Sequence, residues 1–236
     1  MIKLSIVIPC YNEEENIPRL LNALIKSYES GTEIILVNNG STDNSAKVLR
    51  KELKLLNNIN IRKIDINKNI GYGHGIMTGV NDANGEVISW THADLQTDIK
   101  DVYKGYKIFI QQPDVKKSFL KGYRKKRPLI DTVLTWGMGT ISSILLRKNL
   151  KEINAQPKIF HKSFLNYINK SPDDFSLDLY FYYTAMKNDL SIVELPVYFK
   201  ERLFGEAKGG GGSSIVTRIK VIQRTLKFIF NLSRQL

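Results

Sequence analysis

Apolar and polar residues follow two different rhythms in the first part of the chain. Largely apolar runs at Leu4–Pro9, Glu33–Val37 and Ile59–Ile66 are typical of buried strands. The segments between them carry apolar residues at helical spacing, so we predict helices after an Asn12–Glu15 capping box and over Asp43–Leu56. Strands and helices that take turns in this way predict a mostly parallel sheet with helices on its faces.

This alternation continues to about residue 111 and then becomes less regular. Glu86–Trp90 predicts a fourth buried strand, and a helix is expected from Asp98 to about Gln111. Val115–Leu120 predicts another strand, and Pro128–Leu146 predicts a helix. The fold class that follows is α/β.

Two signals organise the remainder of the domain. Ser171–Asp174 combines a serine cap, a proline at the first helical position and acids in the first turn, which predicts a helix start. Leu190–Tyr198 predicts a strand, and Pro196 favours an edge position because proline cannot donate to a neighbouring strand.

The glycine and serine run at 209–214 is typical of a flexible joint, and it divides the chain into a domain at 1–208 and a tail at 215–236. The tail predicts an amphipathic helix with positive charges and no acid. Its apolar face consists of Ile215, Ile219, Ile222, Leu226, Ile229 and Phe230. Such a helix is typical of contact with a membrane surface, and docking onto the domain or onto a partner subunit is the alternative.

Composition narrows the classes of partner. A net charge of +12 favours polyanions: nucleic acid, an anionic membrane face or phosphorylated substrates. Cys10 is the one cysteine, which excludes an intramolecular disulfide and a cysteine-based metal site. With neither a secretory signal nor an apolar stretch long enough to cross a bilayer, we expect a cytoplasmic protein, or one bound peripherally at the inner face of the cell membrane.

The segment after the fourth strand carries the clearest chemistry. It places Asp94 and Gln96 at the carboxyl end of a strand, where α/β sheets bind ligands. A carboxylate and an amide oxygen suit a hard cation such as Mg²⁺ or Mn²⁺, and such a cation suits a diphosphate. The alternative is an acid that caps the following helix.

Several motifs occur in an order that resembles a known family. They are Ser5–Glu13, Val37–Asp43, Asn69–Gly75, His92–Gln96, and Glu194–Val197 followed by Arg202–Lys208. Together they resemble family 2 glycosyltransferases of the GT-A fold, near the polyprenyl-phosphate sugar synthases, over residues 2–208. The resemblance implies a Rossmann-like, mostly parallel central sheet flanked by helices, with the amphipathic helix at its C-terminal end.

The chain departs from the family pattern at several acids. Asn38 and Asn39 stand where the family has two aspartates, and His92 stands for the first aspartate of the Asp-x-Asp metal motif. Asn154 replaces an acid, and Ala207 replaces a serine. The chain is therefore either a subfamily with altered donor contacts or a degenerate site. Because the positions that resemble the metal contacts keep Asp94 and Gln96, we favour an active enzyme.

The resemblance implies a nucleotide pocket and a metal site. The nucleotide pocket comprises Pro9, Tyr11, Glu13, Asn38, Asn39, Gly71, Gly73, His92, Ala93 and Asp94. The metal, Mg²⁺ or Mn²⁺, would be held by Asp94 with support from Gln96. The structural alternatives are a core aromatic for Tyr11, a first-turn helix charge for Glu13 and a simple turn at 38–40. Asn39 can donate and accept hydrogen bonds to a base edge, which favours uracil without excluding guanine.

The remaining catalytic candidates are cations and one further acid. The Lys121–Arg127 segment holds five cations, of which Arg124 and Arg127 are the candidates for binding an acceptor phosphate. If the acceptor were a sugar hydroxyl, a general base would be needed, and Asp178 is then the first candidate, with Asp174 second. The structural alternatives are a solvated loop or a nonspecific polyanion patch for the cations, and an exposed or capping helix acid for Asp178 and Asp174.

A mobile loop near the glycine run is predicted to close over the diphosphate. It would contribute Arg202 and, as a catalytic residue, Lys208, which would neutralise charge on the leaving group.

These expectations converge on a metal-dependent glycosyltransferase, and the resemblance implies an inverting one. The donor would be a nucleotide sugar, with a UDP sugar favoured, and the acceptor a polyprenyl phosphate or lipid-linked glycan in surface-polysaccharide synthesis. The alternative is a catalytically degenerate, nucleotide-binding partner of a glycosyltransferase complex. Nucleic-acid binding rests only on the net charge and the Lys121–Arg127 cluster, because no stacking or groove-reading motif supports it.

Overall fold

The computed structural model describes residues 2–56, 58–125, 129–200, 202 and 215–234. Within these ranges the strands β1 to β7 span Leu4–Cys10, Thr32–Asn39, Ile61–Ile66, Val87–Trp90, Ser118–Lys125, Lys158–His161 and Ser191–Tyr198. The helices α1 to α7 span Ile17–Ser27, Ser45–Leu53, Tyr72–Asn81, Ile99–Phe109, Leu129–Leu146, Leu177–Lys187 and Ile215–Ser233. Two short 3₁₀ helices span Val115–Lys117 and Lys162–Tyr167.

The strands form one sheet in the order β3-β2-β1-β4-β6-β5-β7. All neighbouring pairs are parallel except those of β6, which runs antiparallel to both β4 and β5. This confirms the predicted α/β class and the mostly parallel sheet. The edge position of β7, predicted from Pro196, is also confirmed.

Helices cover both faces of the sheet, and this explains the continuous apolar runs of the central strands. On β1, Val7 faces a core shared with α3 and α6, whereas Ile6 faces a second core shared with α1, α2 and α4. Each side chain is fully buried. Burial of one such side chain is worth about 1.5–3 kcal/mol, so both faces of β1 hold the sheet in register.

Two predicted helix starts are wrong. Residues 12–15 form no capping box: Asn12 has a positive φ of 55°, and α1 begins only at Ile17 after Asn16. Similarly, α6 begins at Leu177, because Asp174 accepts a hydrogen bond from the backbone nitrogen of Ser176 instead of starting a helix. Both polar segments form turns that lead into the helices.

The region around β5 and β6 also differs from the prediction. Val115–Lys117 forms a 3₁₀ helix, and the strand runs from Ser118 through Lys125, so most of the basic Lys121–Arg127 segment is strand and not loop. The sequence pattern did not indicate β6, which lies between β4 and β5.

The C-terminal helix α7 docks onto the domain. Ile229 is fully buried, and Leu226, Phe228 and Leu232 pack against the core that contains Val7. The predicted apolar face is only partly correct, because Ile219 and Phe230 are each 49% exposed. Among the described residues, no helix has both the length and the apolar character required to span a bilayer.

Candidate functional site

Parallel strands bring the predicted site residues to one edge of the sheet. β1, β2 and β4 are neighbours, and the register pairs Cys10 with Asn38 and Val7 with Trp90. The segments that follow these strands carry Glu13 and Asp94, while Asn39 ends β2. The site therefore lies where ligands bind in open α/β sheets.

The site contains two carboxylates that are joined by an arginine. Arg202 Nη1 donates to Asp94 Oδ2 at 3.0 Å, and Arg202 Nη2 donates to Glu13 Oε1 at 2.6 Å. The side chain of Arg202 is 14% exposed, and those of the two acids are each 10% exposed. Their motifs predict a common site for these residues but not the direct contact between them.

Burial and charge act against each other at this cluster. Burial raises the pKa of Glu13, while hydrogen bonds from Asn16 and the nearby Arg202 guanidinium oppose the rise. Asp94 is buried, and its Oδ1 accepts a hydrogen bond from the backbone nitrogen of Gln96 at 3.1 Å. Glu13 and Asp94, which enclose the Arg202 guanidinium, therefore form a cation-binding site.

The donor set fits a divalent cation only if a ligand completes it. Among the described residues, no group of three or more His, Cys, Asp or Glu side chains is arranged to hold a metal. Asp94 and Glu13 could supply two carboxylates, and Mg²⁺ commonly takes one or two carboxylates together with substrate phosphates. The Gln96 amide nitrogen donates to the Lys200 carbonyl oxygen at 3.2 Å and so ties the segment after β7 to the site. The predicted support of the metal by the Gln96 amide oxygen stays a prediction.

The two side-chain amides at the end of β2 donate hydrogen bonds to oxygen acceptors, which an aspartate at the same position could not do. Asn38 Nδ2 donates to Asp65 Oδ1 at 3.0 Å, and Asn39 Nδ2 donates to the Gly71 carbonyl at 2.9 Å. An aspartate at either position would place one acceptor against another. The departures from the family acids are therefore accompanied by complementary partners, which argues against random decay of the site.

Asn39 also carries a buried acceptor for which the described part of the chain supplies no hydrogen-bond partner, its Oδ1 atom. We expect Asn39→Ala to weaken UDP binding about tenfold, since it removes this acceptor and releases the Gly71 carbonyl. Isothermal titration calorimetry with UDP measures the change. Asn44→Ala is the matched control, because Asn44 is exposed and its side chain makes no cap hydrogen bond. Equal UDP affinity of the Asn39 variant and the wild type would refute the assignment.

The glycines at the start of α3 approach the chain's own backbone closely. A Cβ atom at Gly71 would collide with the Asp173 carbonyl, and one at Gly73 would collide with the Pro172 carbonyl. The His74 backbone nitrogen donates to the Asp173 carbonyl oxygen at 3.1 Å. These contacts give the glycines a structural reason, and their predicted role in the nucleotide pocket stays a prediction.

The other predicted pocket residues line the ends of β1 and β4. Pro9 and Tyr11 are partly exposed, whereas Ala93 is buried. Burial lowers the pKa of His92, although Asp94 and Asp178 oppose the change. A neutral His92 imidazole at pH 7 can donate or accept a hydrogen bond to a ligand, which is consistent with its predicted place in the nucleotide pocket.

Asp178 lies in a buried network of polar side chains that the sequence pattern does not indicate. Its Oδ2 accepts a hydrogen bond from Tyr72 Oη at 3.1 Å, and its Oδ1 accepts one from Trp90 Nε1 at 3.2 Å. Lys158 Nζ forms an ion pair with the same Oδ1 at 3.4 Å. Asp178 is thus neither the exposed nor the capping helix acid of the structural alternative, because its carboxylate is 2% exposed and three donors surround it.

Lys158 is the cation of this network, and it was not among the site residues predicted from the sequence. It is fully buried on β6, and its Nζ donates to the carbonyls of Ile153 at 2.7 Å and Ala155 at 2.6 Å. Burial lowers its pKa from 10.5 to about 8, so it is protonated at neutral pH. The sequence signal that could have identified Lys158 is a single lysine among the apolar residues Pro157, Ile159 and Phe160.

The basic cluster on β5 is paired with acids. Lys121 is fully buried and forms an ion pair with Glu194 at 2.9 Å, which excludes it from a solvated loop. Arg124 Nε donates to Glu152 Oε2 at 2.7 Å, and its guanidinium lies 5.7 Å from the centre of the Phe199 ring. Arg127 and Lys208, the other predicted catalytic cations, lie outside the described residues.

Comparison with known proteins agrees with this geometry. The family model for glycosyl transferase family 2 matches residues 5–166. The undecaprenyl-phosphate 4-deoxy-4-formamido-L-arabinose transferase of Proteus mirabilis is 43% identical over 103 residues. That match covers 42% of this chain and 31% of the relative, so the matched part spans less than half of either protein.

Two solved structures share the fold at low sequence identity. Glucosyl-3-phosphoglycerate synthase from Mycobacterium tuberculosis in complex with UDP has a TM-score of 0.76 and 12% identity, covering 98% of this chain and 80% of that chain. The same enzyme with Mn²⁺, UDP and glucosyl-3-phosphoglycerate has a TM-score of 0.73 and 14% identity, covering 97% and 80%.

Proposed function

Because this chain belongs to glycosyltransferase family 2, we propose that it transfers a sugar from a nucleotide-sugar donor to a polyprenyl phosphate in cell-surface polysaccharide synthesis. A UDP sugar is the favoured donor, and Mg²⁺ or Mn²⁺ the favoured cofactor. The named function of the Proteus mirabilis relative supports the acceptor, and the complexes of the Mycobacterium tuberculosis enzyme support UDP and a divalent metal.

One observation carries the donor half of this proposal: Glu13 and Asp94 enclose the guanidinium of Arg202. The arginine acts as a stand-in for the positive charge that two adjacent carboxylates require. When bound there, a divalent cation would neutralise the charge that develops on the leaving nucleoside diphosphate. Asp94 and Glu13 would hold that cation, and Asn39 would contact the nucleoside.

The arginine has a second task when the donor is bound. Displaced from the carboxylates, the Arg202 guanidinium can bind diphosphate oxygens in a bidentate manner, as guanidinium groups bind phosphate elsewhere. Lys208, farther along the same segment, is the proposed additional cation for the leaving group. Closure of this segment over the donor would exclude water from the transfer step.

On the acceptor side, the described part of the chain supplies Arg124, whose side chain is 9% exposed. A lipid phosphate is ionised at neutral pH, so its oxygen can attack without help from a general base. We propose that Arg124 and Arg127 bind it. Asp178 then acts as a positioning residue, because it holds Tyr72, Trp90 and Lys158 in a fixed arrangement. A lipid-linked glycan hydroxyl, the alternative acceptor, would need Asp178 as a base.

Arg202→Ala should change metal and nucleotide binding in opposite directions. Loss of the guanidinium leaves Asp94 and Glu13 without their shared cation, so we expect the free protein to bind Mn²⁺ about five- to tenfold more tightly. UDP binding in the presence of Mn²⁺ should weaken, because one diphosphate ligand is lost. Calorimetry with Mn²⁺ alone and with UDP measures both.

Lys200→Ala is the matched control for this pair of measurements. Lys200 is a nearby cation with a side chain that is 61% exposed, so its loss reports the general effect of one fewer positive charge. If Mn²⁺ binds the Arg202 and Lys200 variants with equal affinity, the Arg202 guanidinium does not compete with the metal for Asp94 and Glu13.

A transfer assay tests the whole proposal. Radiolabelled UDP sugars are incubated with the full chain, Mn²⁺ and a short-chain polyprenyl phosphate in detergent, and label is extracted into the organic phase. We expect lipid-linked label for one sugar. Tight UDP binding without transfer or hydrolysis of any donor would favour the degenerate nucleotide-binding partner instead.

A further inference from the structure

Three ion pairs lie close together around β5 and β6. Each joins one cation to one acid, at 2.9 Å for Lys121 and Glu194, at 2.7 Å for Arg124 and Glu152, and at 3.4 Å for Lys158 and Asp178. Burial lowers the pKa of Lys158, and the charges of Lys121 and Arg124 act in the same direction, so the three cations belong to one cluster. The charges of the three pairs cancel. A phosphate that binds in this cluster must therefore draw a cation away from an acid.

The pair of Arg124 and Glu152 is the one that a ligand can reach. The other two cations have fully buried side chains, whereas those of Arg124 and Glu152 are 9% and 15% exposed. The pair also borders the donor site. Burial lowers the pKa of His92, and Asp94 opposes this change while Arg124 adds to it. Arg124 therefore lies within electrostatic reach of the segment that carries Asp94.

The loop before β6 holds Glu152 against Arg124. Glu152 has a φ of 47°, a left-handed conformation that a residue with a side chain seldom adopts. Its carbonyl accepts a hydrogen bond from the Ala155 backbone nitrogen at 3.2 Å, and Lys158 Nζ donates to the next carbonyls of the loop from inside the core. The backbone at Glu152 is thus fixed. Rotation of the partly exposed side chain towards water is the simplest way to release Arg124.

We propose that Glu152 is an internal competitor for Arg124: the acceptor phosphate displaces the Glu152 carboxylate, and the carboxylate returns to Arg124 once the product has formed. This rests on the proposed function, in which Arg124 binds the acceptor phosphate. It makes Glu152 a positioning residue, which holds the guanidinium in place between turnovers.

The charge of the acceptor falls during the transfer, and this favours the exchange. An oxygen of the acceptor phosphate bonds to the anomeric carbon of the sugar, while the bond from that carbon to the nucleoside diphosphate breaks and its electron pair leaves with the diphosphate. A phosphate monoester carries about 1.5 to 2 negative charges at pH 7, whereas the phosphodiester product carries about one. The monoester therefore competes better than the product with a carboxylate for a guanidinium.

Titration of methyl phosphate into the full chain tests the competition without a donor. The Nε–H signal of Arg124 in ¹⁵N NMR spectra, identified by its absence from Arg124→Lys, reports on the ion pair. Glu152→Gln removes the charge at nearly constant size, so we expect it to bind methyl phosphate about tenfold more tightly than the wild type does. Equal affinity would overturn the proposal, because a purely structural ion pair predicts lower stability and no gain in binding.

Glu194→Gln is the matched control. It removes one negative charge from the same cluster, at the partner of Lys121, and should tighten methyl phosphate binding by less than about twofold. An equal gain in the Glu194 and Glu152 variants would show a general effect of net charge and overturn the competition at Arg124. Should Glu152→Gln fail to fold, Glu152→Asp serves instead, because it keeps the charge but shortens its reach.

The return of the carboxylate is tested with a phosphodiester. The wild type should bind dimethyl phosphate at least about fivefold more weakly than methyl phosphate. In turnover with a short-chain polyprenyl phosphate, Glu152→Gln should show a lower KM for the acceptor, and the lipid product should inhibit this variant about tenfold more strongly than the wild type. Unchanged product inhibition would contradict the return of the carboxylate.

Two outcomes separate this proposal from the proposed function. If methyl phosphate shifts the Arg124 signal neither in the wild type nor in Glu152→Gln, although sugar is transferred to the lipid, the acceptor phosphate binds elsewhere and the Glu152 proposal alone is refuted. If Glu152→Gln gains phosphate affinity but no donor sugar is transferred, the proposed function is refuted and the competition for Arg124 stands.

Discussion

Asp94→Ala should abolish metal-dependent nucleotide binding and lower transfer about 100- to 1000-fold. Asp94 is buried, and its carboxylate provides half of the acid pair that encloses Arg202. Without it, Glu13 alone must attract the cation, and Arg202 loses one of its two carboxylate partners. Calorimetry of UDP with and without Mn²⁺, together with turnover of the identified donor, measures the effect.

The neighbouring Asp98 supplies the control for this substitution. It lies on the same segment, but its Oδ1 accepts from the Lys100 backbone nitrogen and caps α4. Asp98→Ala should cost about 1 kcal/mol of stability and leave the Mn²⁺ dependence of UDP binding intact. If Asp94→Ala retains full turnover, the metal site must lie elsewhere.

Lys158→Met should destabilise the fold by about 3–5 kcal/mol, because it leaves the Asp178 carboxylate buried without its cation. The substitution also removes the donor that joins the carbonyls of Ile153 and Ala155. Urea unfolding followed by circular dichroism measures the loss. Lys117→Met, at an exposed lysine on the 3₁₀ helix before β5, should change stability by no more than about 0.5 kcal/mol.

A double-mutant cycle tests whether the ion pair is the cause. Lys158→Met combined with Asp178→Asn removes both charges, so the double variant should be more stable than Lys158→Met alone. Strictly additive losses would show that the two side chains act independently and would contradict the pairing.

The pH dependence of stability gives a second view of Lys158. Burial lowers its pKa from 10.5 to about 8. Between these values the unfolded chain holds the proton and the folded chain releases it, so this group adds stability as the pH rises through the window. The difference in unfolding free energy between wild type and Lys158→Met should therefore grow from pH 8 to pH 10.

The sequence was sufficient for β1 and β2 because both faces of these strands are covered. Continuous apolar runs can occur there without exposing apolar surface, and they identify the strands directly. The start of α6 could not be read in the same way. Pro172 and Asp173 resemble a helix start, but their carbonyls pack against Gly73 and Gly71, a tertiary contact that local capping signals do not report.

In the candidate site, too, some features could be predicted from the sequence and others depend on tertiary contacts. Residues such as Glu13 and Asp94 follow strands whose ends meet, so their proximity could be inferred from topology. The contact of Arg202 with both acids depends on how a distant segment returns to the site. Likewise, β6 was not predicted because it contains Lys158. A charged residue interrupts the apolar pattern of a buried strand, and the sequence does not show that this cation is paired inside the core.

The measurement that most directly tests the donor site is calorimetric titration of UDP and GDP into the full chain, each with and without Mn²⁺. We predict that UDP binds with micromolar affinity and that Mn²⁺ strengthens this binding at least tenfold, while GDP binds more weakly. Absence of binding by either nucleotide in the presence of Mn²⁺ would contradict the proposed donor site and the glycosyltransferase activity inferred from it.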